Sequence, residues 1–473
     1  MKTNRLIQMN TLLLLLVVLF PLPALAQIQI GDDLIGEFVN DLFGSSVALS
    51  ADGSRLVVGS ITNSEAAPNS GQVQVFENVN GTWVQLGQDI NGSLDARLGR
   101  GVAISDDGSI IALGGDGFDS STGKVRVFEF SNGSWIQLGQ ELLGSATGSV
   151  FFGNEVCLSS DGSILAVGAP GGPLGSVRVF QNQGGTWGQL GDVINGDVDQ
   201  GSFGNGLALS ANGLRVAIGG DGSVGPGSLR VFDFVGDNWT QAGQTIVGMD
   251  NDRIGGNVAL SDDGTIMAVS ALGNDDLGAF AGAARVYRDN EGTWTQIGDD
   301  LLGTLLKVFG ASLSLSSDGS VLTVGAAGNG MPGTVDKDGN VIPPEGPSQK
   351  IFINEDDAWV ELANIEGELD SFFGLQSHIS KDGLTLAVGA QSFDGNGFNR
   401  GLVRAFDLTD LVVGCPFSLG DLDEDGFVTL LDVGPFVNAL TNGGEQVCQA
   451  DINGDGVVDL LDVGPFVDLL LGG

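Results

Sequence analysis

FGSSVALSADGSRLVVGS, Phe43 to Ser60, reads as two short apolar strands joined at an Asp-Gly turn, and the pattern returns six times. The returning copies open at Leu98-Gly99, Phe152-Gly153, Phe203-Gly204, Ile254-Gly255, Phe309-Gly310 and Phe373-Gly374. Their turns fall at Asp107-Gly108, Asp161-Gly162, Asn212-Gly213, Asp263-Gly264, Asp318-Gly319 and Asp382-Gly383. Each reads as a type I′ hairpin turn, with φ > 0 at both central residues. A second block follows most copies, GQVQVFENVNGTWVQLGQDI in the first, and carries Trp83, Trp135, Trp187, Trp239, Trp294 and Trp359. Four short strands repeating about every fifty residues mark a radial array, in which each unit buries its faces against its neighbours.

Seven units predict an all-β, seven-bladed β-propeller. The last unit ends at Gly401 to Phe406 and has no W-x-Q-L-G strand after it. The segment from Gln27, QIQIGDDLIGE, matches that missing strand. Residues 27–36 are therefore expected to pair with Leu402 to Phe406 as the outer strand of the seventh blade, closing the ring and removing an open sheet edge.

Composition bounds the function. Lys2 and Arg5, an apolar run from Leu12 to Phe20 and Ala24-Leu25-Ala26 read as a secretory signal over residues 1–26. No later stretch has the length of a membrane-spanning helix. The chain is thus expected to be secreted, extracellular or at the cell surface. Its net charge of −40 argues against nucleic acid and anionic lipid, which need a basic footprint. Cys157 and the lone His378 share the register of Ala48, Ala103, Ala208 and Ala259 in the inner strands. Cys157 is expected as a core thiol, and His378 as a core or channel-lining residue. A single His leaves little room for a His-dependent triad or a His-based metal site.

The S-x-D-G turns and the turns between strands three and four are short and share one face. The longer connections, Ile61 to Ser70, Gly114 to Thr122, Ala271 to Ala281 and Ala326 to Ser348, share the other with the blade-to-blade links. Loops held by a rigid scaffold are where binding residues concentrate. The FG openings, with VGAP at Val167 to Pro170, resemble the FG-GAP repeats of integrin α-subunit propellers and their bacterial relatives. That resemblance covers Gln27 to about Asp410 and implies adhesion to a protein or glycan through the loop face. Several integrin-type blades hold Ca²⁺ in a D-x-D-x-D-G loop. The corresponding turns here are only S-x-D-G, so those sites are not carried over.

After Arg404 there is no Lys or Arg. DLDEDGFVTLLD from Asp421 and DINGDGVVDLLD from Asp451 each match a twelve-residue calcium loop. Ca²⁺ takes six or more hard oxygen donors. Asp421, Asp423 and Asp425, and Asp451, Asn453 and Asp455, supply loop positions 1, 3 and 5. The carbonyls of Phe427 and Val457 supply position 7, Thr429 and Asp459 position 9, and Asp432 and Asp462 close the shell at position 12. Two such loops, each followed by LLDVGPFV and without an entering helix, resemble a type I dockerin from about Gly420 onward. The resemblance implies a small α-helical, calcium-dependent module that docks to a cohesin-type or surface partner. At loop positions 10 and 11, where dockerins usually carry polar residues, this chain has Leu430-Leu431 and Leu460-Leu461. Cys415 and Cys448 flank the first loop and are expected to be bridged in an exported protein.

The resulting organisation is a signal segment over 1–26, a propeller over 27–410, a joint over 411–419 and a dockerin-like domain over 420–473. The leading functional expectation is a non-catalytic binding or adhesion protein. The alternative is an extracellular polysaccharide hydrolase or lyase delivered by the same tail, and a purely structural surface component is a third.

Overall fold

A computed structural model describes residues 28–145, 150–197, 201–221, 225–328, 346–394 and 398–412. Its strands form seven antiparallel sheets. The first blade consists of Phe43–Leu49, Arg55–Ser60, Gln72–Val79 and Thr82–Gln85, paired in that order. A short fifth piece, Ile90–Asn91, resumes pairing with the third strand after the outer strand breaks at Leu86 to Asp89. Every residue of Phe43–Leu49 is buried, as an apolar strand packed on both faces should be.

Two glycines explain the recurrent FG and VG pairs. A Cβ on Gly114 would lie 2.0 Å from the Gly153 carbonyl of the next blade, and one on Gly389 would lie 2.2 Å from that of Gly44. Neighbouring blades approach backbone to backbone at these points, leaving no room for a side chain. Just beside them the opening phenylalanines fill the core. Phe43 meets Phe76 edge-on at 6.2 Å, and Phe152, Phe309 and Phe373 repeat the contact with Phe180, Phe352 and Phe406.

The turns correct one expectation. Only the glycine of each S-x-D-G has positive φ, 66° at Gly53 and 69° at Gly108, while Asp52 and Asp107 do not. Gly53 N–H donates to the Ser50 carbonyl, so the turn is type I with a left-handed residue after it rather than type I′. The side chains select this form. The Ser50 hydroxyl donates to Asp52 Oδ1 and accepts from Arg55 N–H, and Asp52 also accepts from Ser54 N–H. Burial raises the Asp52 carboxyl, but those hydrogen bonds hold it below its ordinary pKa.

Ring closure is as expected. Ile28 and Gln29 pair with Asp407 and Phe406, and Leu34 and Ile35 pair with Val403 and Leu402. An independent contact repeats this. The indole N–H of Trp135 donates to Leu86 O, that of Trp187 to Leu138 O and that of Trp239 to Leu190 O, each from one blade to the preceding outer strand. Trp83 donates to Ile30 O, so the N-terminal strand occupies the place of an outer strand for its neighbour too.

Candidate functional site

The seven inner strands enclose an axial channel with a cavity of about 260 Å³. One mouth is sealed by the second residue of each S-x-D-G turn. Ala51 N–H donates to Asp106 O, Asp106 to Ser160, Ser160 to Ala211, Ala211 to Asp262, Asp262 to Ser317, Ser317 to Lys381 and Lys381 back to Ala51. That cycle satisfies one amide and one carbonyl per blade. Lys381 then reaches across it, with Nζ 2.9 Å from Asp106, 2.7 Å from Asp262 and 2.6 Å from the Ser160 hydroxyl. The repeat pattern hides this plug, because its members occupy the most variable position of the turn.

Polar residues on the inner strands cap the neighbouring blade. Ser46 Oγ donates to Gly99 O, Asn257 Nδ2 to Gly310 O, Ser312 Oγ to Gly374 O, and Ser314 Oγ accepts from Ile379 N–H. His378 and Cys157 belong to this set: His378 Nδ1 accepts from Leu49 N–H at 3.3 Å, and Cys157 Sγ lies 3.2 Å from Leu207 O. Both line the channel, and Cys157 also packs against the core cluster that contains Ile164, Val177 and Leu207. Burial, with Lys381 close by, lowers the His378 pKa to about 4, so the ring is neutral with its proton on Nε2. Burial raises Glu155, on the same wall, to about 7 against the pull of Arg100, and burial plus Glu155 keep the Cys157 thiol protonated.

The two titrations oppose one another. The unfolded chain takes up more protons at His378 between pH 6.5 and 4, so that contribution is complete above pH 6.5 and is lost toward pH 4. The folded chain takes up more protons at Glu155 between pH 4.5 and 7, so its destabilising ionisation is relieved as pH falls. His378→Gln should therefore make stability rise from pH 7 to 4.5, and Glu155→Gln should make it fall from pH 6.5 to 4. Each change should be about 1–3 kcal/mol after allowance for channel water. Denaturant midpoints at several pH values measure this, and parallel profiles for both variants would refute it.

On the other face, the loop after each second strand meets the link between blades. Thr62 N–H donates to Asp41 O, Gly117 to Ala96, Gly273 to Asp252 and Ser392 to Ser371. Buried carboxylates stiffen it: Asp116 binds Arg97, and Asp252 binds Arg285 at 2.6 Å. Every Lys and Arg among the described residues is held by an acidic side chain or a carbonyl. Arg126, Arg178, Arg230, Arg285, Lys350 and Arg404 recur at one third-strand position and tie to Asn91 O, Leu143 O, Asn195 O, Asp252, Glu361 and Asp33. The remaining acidic surface therefore faces solvent without a basic patch.

The predicted calcium ligands, Asp421, Asp423, Asp425, Phe427, Thr429, Asp432, Asp451, Asn453, Asp455, Val457, Asp459 and Asp462, lie outside the described residues, as do Cys415 and Cys448. Among the described residues no group of three or more His, Cys, Asp or Glu is placed to hold a metal ion. No helix of the described residues is long and apolar enough to cross a membrane.

Residues 39–76 match the FG-GAP repeat, and residues 419–464 match the dockerin type I domain. A seven-bladed propeller that carries an FG-GAP repeat match is thus followed in the chain by a dockerin type I match. No curated protein matches it. Among solved structures, the chain is similar to hydrazine synthase from Kuenenia stuttgartiensis, at 12% identity over 78% of this chain and 96% of that one, with a TM-score of 0.51. A candidate 6-phosphogluconolactonase from Bacteroides uniformis is 15% identical over 72% of this chain and 90% of its own, with a TM-score of 0.50. Such distant likenesses show the propeller fold alone.

Proposed function

We propose that this chain is a secreted, non-catalytic binding protein. Its propeller presents a loop face to a protein or glycan, while its dockerin segment docks to a cohesin-type partner in a calcium-dependent way. The observation carrying this reading is where the chain leaves the propeller. Leu408 N–H donates to Leu384 O beside the last S-x-D-G turn. Leu408 and Leu411 then pack with Ile351, Leu386 and Phe406. The described chain thus ends on the sealed turn face, and the loops project from the opposite one, which separates the point where the tail is attached from the proposed binding face.

The donor set of the two tail loops, carboxylates with an amide, a hydroxyl and backbone carbonyls, suits a hard divalent cation such as Ca²⁺. Dockerin type I domains generally bind calcium and dock to cohesins, which supports the same assignment. The test pairs two assays on the full chain in calcium. Retention on insoluble polysaccharides and on an immobilised cohesin panel is expected, without release of reducing sugar or unsaturated product. Product release would replace this reading with the polysaccharide-degrading alternative.

A further inference from the structure

A second cavity, of about 630 Å³, opens on the loop face where the ring is closed. Three segments build it: the closing segment at Phe38 to Leu42, the first-blade loop at Thr62 to Asn69, and Asn399 of the seventh blade. Backbone bonds from Asn40 N–H to Phe398 O and from Leu42 N–H to Asn399 O fasten the first to the third. The Thr62 hydroxyl donates to Asn40 O and fastens the second. The walls are thus fixed by the same contacts that close the propeller. The volume lies within the range of about 300–1,000 Å³ common to small-ligand pockets.

Its chemistry is specific in sign. No Lys or Arg lines it, and the nearby Arg400 guanidinium is committed to Gly36 O and Glu37 O. An anionic ligand would meet no cation within a chain of net charge −40. Nor is the pocket built for a cation. Asp41 is 2% exposed, and burial raises its pKa although it accepts from Phe38 N–H. Glu65 is engaged by Gln72 Nε2 at 3.1 Å. Apart from the Glu65 carboxylate, a lone acceptor on the rim, what remains open is neutral. The side-chain amides of Asn40 and Asn399 make no hydrogen bond among the described residues, and the Phe38 ring in the lining is 47% exposed. Open carboxamides beside an open aromatic face suit a ligand with hydroxyl edges and an apolar C–H face.

We infer that this cavity binds a neutral oligosaccharide, a sugar ring lying against Phe38 and its hydroxyls meeting Asn40, Asn399 and Glu65. This rests on the loop-face binding reading above and names its ligand class.

Calorimetric titration of the full chain in calcium would use cellohexaose, xylohexaose and mannohexaose, with oligogalacturonate as the anionic control. At least one neutral oligosaccharide should bind and the control should not. Phe38→Ala should weaken that binding about tenfold or more, and Asn40→Gly, which suits the φ of 64° at this position, about three- to tenfold. Unchanged melting of both variants would show that the fold is intact. A preference for oligogalacturonate, or no binding of any neutral oligosaccharide, would overturn the proposal. Sugar binding that survives both substitutions would overturn the pocket and keep the loop-face reading. Selection of a displayed peptide that needs Phe38, with no sugar bound, would replace the ligand class instead.

Discussion

A chain beginning at residue 37 is expected to lose about 4–6 kcal/mol of propeller stability, a large share of the roughly 5–15 kcal/mol that a folded domain has in total. The removed segment supplies the outer edge of the seventh blade through Ile28, Gln29, Leu34 and Ile35, and Ile30 N–H donates to Ala405 O. It also supplies the acceptor for the Trp83 indole and both carboxylate oxygens bound by Arg404 at 2.8 and 2.9 Å. Ile30 and Leu34 pack against the cluster containing Phe43, Trp83 and Val403. Removing them uncovers two blade edges at once, so aggregation should accompany the lost stability. Denaturant unfolding followed by tryptophan fluorescence measures it. A midpoint within experimental scatter of the full chain would show that the ring holds without its closing strand.

The second large effect concerns the tail. The segment from Cys415 carries eleven Asp and Glu and no Lys or Arg, so its carboxylates repel until a cation neutralises them. Under the proposed calcium assignment, binding to the two loops is part of the folding free energy of that segment. Calorimetry of the full chain should show two transitions in calcium. Excess EDTA should abolish the one belonging to the tail and leave the propeller transition in place. Asp421→Ala with Asp451→Ala, the first ligand of each loop, should do the same without chelator and should abolish cohesin capture. Two unchanged transitions in EDTA would sink the assignment.

The two faces of the propeller differ in how far they were legible. The S-x-D-G turns could be located from their spacing, yet their type could not. The Ser50 hydroxyl and Asp52 carboxylate favour the type I form through bonds that a pairwise Asp-Gly rule omits. The Lys381 plug was invisible for another reason. Lys381, Asp106, Asp262 and Ser160 are separated by 50 residues or more, and only the closed cycle of turn amides brings them together.

The sequence alone determined the number of blades, the strand order within each and the identity of the closing strand. These follow from local alternation repeated seven times, and an orphan strand at one end can be matched to its complement at the other. It also located the tail loops, because twelve consecutive residues carry all the proposed calcium donors. Tertiary structure alone decided which polar residues remain open. Ser46, Asn257, Ser312 and His378 are polar positions on the inner strands, and each is used to satisfy the backbone of the next blade. Asn40 and Asn399 look like ordinary loop residues, yet the closing strand brings them to one cavity with unbonded amides. Blade-to-blade contact lies about fifty residues away in the chain, and the ring seam lies farther still, so neither can be read from a local pattern.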